Sequence, residues 1–145
     1  THVAATPSDT ELLVNLIADN YLFGMLSEPE RRSVLSSAEF FSYSSGDLLI
    51  KEGFLTEYFY LIYKGCARVR VGNPGLEVAS LNIGDVFGEV AFMANQSSNA
   101  TIFADESLTV AAFSKSTYET LRTSSPAFAK AIDVILAAEK GAGGP

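Results

Sequence analysis

The sequence predicts a mainly β domain with helices at both ends. Three observations carry that reading. From Phe40 onward, glycines and small polar residues punctuate short apolar runs, the pattern of many short strands joined by turns. The two ends instead show apolar residues at helical spacing behind serine-led caps. Segment 66–71 alternates strictly, with Ala67, Val69 and Val71 on one face and Cys66, Arg68 and Arg70 on the other. Short strands at even spacing build a sandwich, a jelly roll or a barrel.

Taken in order, Ser8 and Glu11 read as a capping box, and Leu12, Leu13, Leu16 and Ile17 follow on one helical stripe that ends near Gly24. Ser27 and Glu30 form a second capping box with Pro29 in the first turn, opening a short helix that carries Val34 and Leu35. Residues 44–47 (Ser-Ser-Gly-Asp) are a turn, 48–50 a short buried strand, and 58–63 an aromatic-rich strand closed by Lys64-Gly65. A hairpin turn at 72–75 (Gly-Asn-Pro-Gly) leads to a strand over 76–81, and Gly84-Asp85 turns again. The last strands lie at 100–104 and 108–113. Ser114 caps a helix with Tyr118 and Leu121 inward. Ser125 and Pro126 start another, as N-cap and first helical residue, with Phe128, Ile132, Ile135 and Leu136 on one stripe. Residues 141–145 (Gly-Ala-Gly-Gly-Pro) read as a flexible tail or linker.

Composition narrows the function classes. The chain has 145 residues, 48% of them apolar, enough for one domain with a real core. A formal net charge of −7, with no basic cluster beyond Arg31-Arg32 or the Arg68 and Arg70 pair, argues against direct nucleic-acid binding. The single histidine is His2, so a histidine-based metal or catalytic centre is not expected, and no catalytic residue is assigned. Cys66 is the one cysteine, expected as a small buried residue, which fits a reducing compartment. No apolar run is long enough to span a bilayer and the start lacks signal-peptide order, so a cytoplasmic chain, or a piece cut from something larger, is expected.

The glycines at 46, 53, 65 and 84, followed by Phe-Gly-Glu-Val-Ala-Phe at 87–92, resemble the cyclic nucleotide-binding domain family. That family includes catabolite activator-type regulators, kinase regulatory subunits and gated channels. Segments 48–53 and 59–65 match its first signature in spacing, with departures at Phe54 and Thr56; 84–93 matches the start of its phosphate-binding cassette. The resemblance covers nearly the whole chain. It implies one domain over 8–140, with N-terminal helices at 8–38, a β-roll at 40–113 and C-terminal helices at 114–140. The implied fold is a double-stranded β-helix, a jelly-roll barrel of about eight strands. The implied function is a regulatory or sensor domain for cyclic AMP or cyclic GMP, not an enzyme, with no cofactor or metal. Its partners would be a second copy or a fused effector domain, and its last helix would pack on its own barrel, cover the pocket or form a dimer contact.

Elementary chemistry agrees at the cassette. Gly88 permits a tight turn and close backbone approach, and Val90, Ala91 and Phe92 begin a short helix whose first amides suit an anion. Glu89 is an acceptor for a sugar diol or a single 2′-hydroxyl, or else it caps backbone amides. In the family this glutamate binds the ribose 2′-hydroxyl. The expected ligand-binding set is Phe87, Gly88, Glu89, Val90, Ala91, Ser98 and Asn99. The departure lies downstream, where the family carries an arginine and then a small residue. Counting back from Ala100 puts Ser98 and Asn99 there, and 72–114 contains no lysine or arginine. Removing one partner of a buried charge pair costs ~3–5 kcal/mol, whereas a neutral hydrogen bond returns only about 0.5–1.5 kcal/mol. Weak or lost cyclic-nucleotide binding is therefore expected. Three other readings stay open: an interaction or oligomerisation module of the same fold, a pocket for a different, uncharged ligand, and an arginine (Arg68 or Arg70) reaching in from a neighbouring strand. Tyr58, Phe59, Tyr60 and Tyr63 are expected to pack in the core or at an edge rather than stack on a base.

Overall fold

Helical ends and a β centre meet in a computed structural model that describes residues 2–3, 7–20, 22–72 and 76–142. After a two-residue strand β1 (His2–Val3), helix α1 (Pro7–Leu16) runs into a 3-10 turn at Ile17–Asp19. The helix starts at Pro7, so Ser8 lies inside it rather than at the cap; proline's fixed φ suits the first helical position. The side-chain capping expected of Ser8 lies outside the described residues. Helix α2 (Glu28–Ser36) has the expected reciprocal box between Ser27 and Glu30. Arg31 fastens these helices together, donating from Nε to the Val14 carbonyl (3.0 Å) and from Nη1 to the Leu26 carbonyl (2.7 Å).

The strands follow as β2 (Glu39–Tyr43), β3 (Leu48–Ile50), β4 (Tyr58–Lys64), β5 (Ala67–Val71), β6 (Leu76–Leu81) and β7 (Val86–Phe87). Helix α3 (Glu89–Ala94) interrupts them before β8 (Thr101–Ala104) and β9 (Leu108–Ser114). Residues 73–75 of the expected hairpin turn lie outside the described residues. Helices α4 (Lys115–Ser124) and α5 (Pro126–Ala142) close the chain. The Ser114 hydroxyl accepts from the Thr117 amide, and the Ser125 hydroxyl accepts from the Phe128 amide at 3.2 Å, as both caps require. Helix α5 runs on through Gly141 and Ala142 rather than breaking at the expected tail; the good helix formers at 137–140 carry it there.

All strand pairs are antiparallel, in one sheet of order β1-β2-β9-β4-β7 and another of order β3-β8-β5-β6. No strand pairing among the described residues joins the two, so the fold is the expected jelly-roll type of β-roll, built as two sheets rather than as a closed barrel. The edge strands explain this: β7 has two residues, and β3 has three with a register shift between Leu48 and Ile50. Such edges supply too few ladder bonds to close a barrel.

Strand alternation splits the interior into two cores. On β4, Phe59, Leu61 and Tyr63 face the helices, while Tyr60 and Ile62 face the second sheet. On β9, Ala111 and Phe113 join the helical core, while Val110 and Ala112 join the core between the sheets. Both strands are covered on both sides, which is why their sequences read as continuous apolar runs. The helical core is knit by aromatic contacts such as Phe59 stacked on Phe113, with centroids 4.8 Å apart. Each such buried ring contributes roughly 1.5–3 kcal/mol by area alone. Phe59, Tyr60 and Tyr63 are buried core residues and Tyr58 is half-buried.

Candidate functional site

The chain leaves β7 through Gly88, whose φ of +78° is left-handed. A Cβ there would also lie 2.6 Å from Ile50 Cδ1, so both conformation and space select glycine. Helix α3 begins at the next residue, Glu89, and ends after one and a half turns at Asn95, which is itself left-handed (φ 55°). The Gln96 amide donates back to the Ala91 carbonyl (2.9 Å), folding loop 96–99 against the helix.

A second segment holds that loop from outside. The Gly53 amide donates to the Ser98 carbonyl (2.7 Å), and the Ser98 amide donates to the Phe54 carbonyl (2.9 Å). One step along, the Glu52 amide donates to Thr101 Oγ1 (3.1 Å). Between α3 and this loop lies a cavity of about 360 Å³, bordered by Gly88, Glu89, Val90, Ala91, residues 96–99, Ala100 and Ile102. That volume falls within the range of small-molecule sites.

Six of the seven residues expected from sequence border this cavity: Gly88, Glu89, Val90, Ala91, Ser98 and Asn99. Phe87 does not. Its ring is 4% exposed and stacks on Tyr60 in the core between the sheets, centroids 5.1 Å apart, so it positions Gly88 from behind. Gln96, Ser97, Ala100 and Ile102 were not anticipated. The last two continue β8's inward face, which the alternation of 100–104 already implied; Gln96 and Ser97 carry no pattern that separates them from an ordinary polar loop.

The site's charge is one-sided. Its lining contains one carboxylate, the buried Glu89, and no lysine or arginine among the described residues. The Ser98 hydroxyl is used locally, donating to the Ala100 carbonyl (2.8 Å) and accepting from the Ala100 amide (3.3 Å). Strand register excludes the two candidate arginines. In β5–β8, Val69 sits opposite Ile102, while Arg68 pairs with Phe103 and Arg70 with Thr101. Opposite residues share a face, so both arginines lie on the face away from Ile102 and the cavity. There Arg68 forms ion pairs with Glu77 (2.7 Å) and Asp105 (3.2 Å), and the Arg70 guanidinium lies 4.2 Å from the Phe103 ring centre. Cys66 is half-buried rather than fully buried. Burial pushes its thiol pKa up, and its hydrogen bond to Asp105 adds to the shift, which keeps it an unreactive thiol.

A short helix inserted in the β-roll frames, behind a left-handed glycine, a cavity of the size that seats a small molecule. The model of the cyclic nucleotide-binding domain family matches residues 40–125, and the chain belongs to that family. It is 36% identical over 96 residues to a cAMP-dependent protein kinase regulatory subunit of Yarrowia lipolytica, covering 66% of this chain and 25% of that protein. The chain spans about a quarter or less of the length of the curated relatives it first matches. In fold it is similar to a cyclic nucleotide-binding domain from Methylobacillus flagellatus (TM-score 0.80, 21% identity, 98% of this chain and 82% of that one). It is also similar in fold to the regulatory subunit of a cAMP-independent protein kinase A from Trypanosoma cruzi bound to guanosine (TM-score 0.73, 21% identity, 85% of this chain and 44% of that one). This is a regulatory module rather than a catalytic one. No described helix is long and apolar enough to cross a membrane.

Proposed function

We propose that this chain is a regulatory ligand-binding domain whose phosphate anchor is lost, so that cyclic AMP and cyclic GMP bind weakly or not at all. The observation that carries the reading is the state of position 98. The arginine of the family pattern is a serine, its hydroxyl is used by the Ala100 backbone, and both nearby arginines lie on the wrong face of the sheet. Energetics point the same way. Hydrogen bonds to a charged group contribute about 1.5–3 kcal/mol, and none is available here from a cation. Meanwhile the one acidic side chain lining the cavity, Glu89, is not balanced by any lysine or arginine in that lining, which disfavours an anion there. The Trypanosoma cruzi neighbour, similar in fold alone, holds a ligand that has no phosphate.

The domain would act in the cytoplasm as part of a larger regulator or as a homodimer, passing occupancy of the cavity to an effector. Calorimetric titration of the chain with cyclic AMP and cyclic GMP tests the reading. Affinities weaker than about 10 μM are expected, given a loss of some two to three powers of ten. Submicromolar binding of either would sink it. The absence of binding by any small molecule would instead favour an interaction or oligomerisation module.

A further inference from the structure

We propose that a second cavity, between β3 and the start of β4, binds an amino acid with a single aromatic ring, held as its zwitterion. This site shares no lining residue with the cavity beside α3, and the inference does not depend on the state of position 98.

The cavity holds about 300 Å³. From one sheet β3 brings Leu49 and Ile50 to it, and from the other β4 brings Tyr58 and Tyr60. The loop between these strands, 51–57, supplies the rest of the border. Such a volume is at the small end for ligand sites, and it suits one ring and a short chain rather than a nucleotide.

Three features of the loop call for an occupant. Phe54 and Leu55 are 57% and 63% exposed, an apolar pair on the cavity border that the fold leaves uncovered. Phe54 and Thr56 are the two positions at which the first signature departs from the family pattern, so the family's common ligand does not account for them. Thr56 Oγ1 is buried and has no hydrogen-bond partner among the described residues. Orphaned buried groups are rare, and because Thr56 borders the cavity, a change of rotamer offers its hydroxyl to an occupant.

Charge selects the class of ligand. Lys51 and Glu57 stand at the two ends of the loop, both border the cavity, and neither enters an ion pair among the described residues. Lys51 Nζ lies 4.9 Å from the Phe54 ring centre, a contact that leaves its N–H groups to a carboxylate. The Glu57 carboxylate only accepts, which suits an ammonium. A ligand with charge of one sign would meet one of the two as a like charge, whereas an α-amino acid satisfies both. The ring follows from Phe54, Tyr58 and Tyr60. Tyr58 already packs on Phe41 and on Tyr60, so a ligand ring extends an existing aromatic row.

NMR titration of the isotopically labelled 145-residue chain with L-phenylalanine and L-tyrosine tests the proposal, with L-leucine, phenethylamine and phenylacetate as controls. At least one of the two aromatic amino acids is expected to bind with a Kd below about 1 mM and to move backbone amides within 49–60. Each control is expected to bind about tenfold or more weakly, for want of a charge or of the ring. Failure of both aromatic amino acids to bind below about 1 mM overturns the proposal. Shifts centred on 88–102 place the ligand in the other cavity and overturn it too. Phenethylamine or phenylacetate binding as tightly as phenylalanine overturns the zwitterion, and leucine doing so overturns the ring. Two variants locate the charges, both at exposed side chains whose exchange leaves the fold intact. Lys51→Gln should weaken phenylalanine about tenfold and leave phenethylamine within about threefold. Glu57→Gln should weaken phenylalanine equally and spare phenylacetate. Unchanged phenylalanine affinity in both variants overturns the charge assignment.

Discussion

Ser98→Arg is the perturbation that isolates the missing charge. The wild-type hydroxyl makes two hydrogen bonds, both to the Ala100 backbone. Their loss costs about 1–2 kcal/mol of stability at about 0.5–1.5 kcal/mol each, softened because Ser98 is half-exposed and water replaces part of them. The bonds that place loop 96–99 survive, because Gly53 and Phe54 grip Ser98 through its backbone alone. The new guanidinium therefore starts from a loop already at the cavity wall. A charge-assisted contact to a cyclic phosphate contributes about 1.5–3 kcal/mol, which is roughly a 10- to 100-fold gain in affinity. Calorimetric titration of wild type and variant with cyclic AMP and cyclic GMP reads that gain, and thermal unfolding reads the cost. A folded variant whose affinity for both nucleotides equals that of wild type refutes the reasoning, since something other than charge would then limit binding.

Two further outcomes follow from the geometry. Gly88→Ala meets a left-handed φ and a contact of 2.6 Å to Ile50 Cδ1; at about 1–2 kcal/mol for the backbone alone, with more for the contact, the melting temperature should fall by at least about 3 °C, and an unchanged value would show that the turn is free to rearrange. Glu30 is held below its ordinary carboxylate pKa by the Ser27 amide first, and then by the hydroxyls of Ser125 and Ser27. A depressed carboxyl stabilises the fold above its unfolded pKa and loses that contribution as pH falls through the folded value. Ser125→Ala removes the α5 cap and the 2.9 Å bond to Glu30, so it should cost about 1 kcal/mol at neutral pH, with the gap to wild type narrowing in denaturant melts below about pH 4. A gap that widens on acidification contradicts this assignment.

How much of this was legible in the sequence depended on whether a residue's partners lie nearby in the chain. The Ser27 and Glu30 box, the Ser114 cap and the alternation of β5 are local patterns, and the structure reproduces them. The glycine-glutamate turn was legible because a left-handed turn leaves few residue choices. Strand β7 was not, since two residues make no periodicity. Phe87 looked like a site residue from its neighbours in sequence, but the one-residue alternation of a strand turns it to Tyr60 and away from the cavity. The fate of the Ser98 hydroxyl was also hidden, because a bond to a backbone two residues on is open to any serine in a loop. Whether Arg68 and Arg70 reach the cavity was decided only by register with a strand more than thirty residues later.

The division of the interior into two cores has a mechanical consequence. The sheet containing β4 and β9 is an insulating wall with side chains anchored in both rooms. Neighbours such as Ala111 and Ala112 are consecutive in the chain yet feel different rooms, one shared with the helices and one with the second sheet. Helices α4 and α5 pack through Tyr118, Leu121, Phe128, Ala131 and Ile132 into the helical room alone, so among the described residues a shift of these helices reaches the other room only through the sheet or through α3. Helix α3 stands between the helical room and the cavity, presenting Phe92 and Met93 to the one and Val90 and Ala91 to the other.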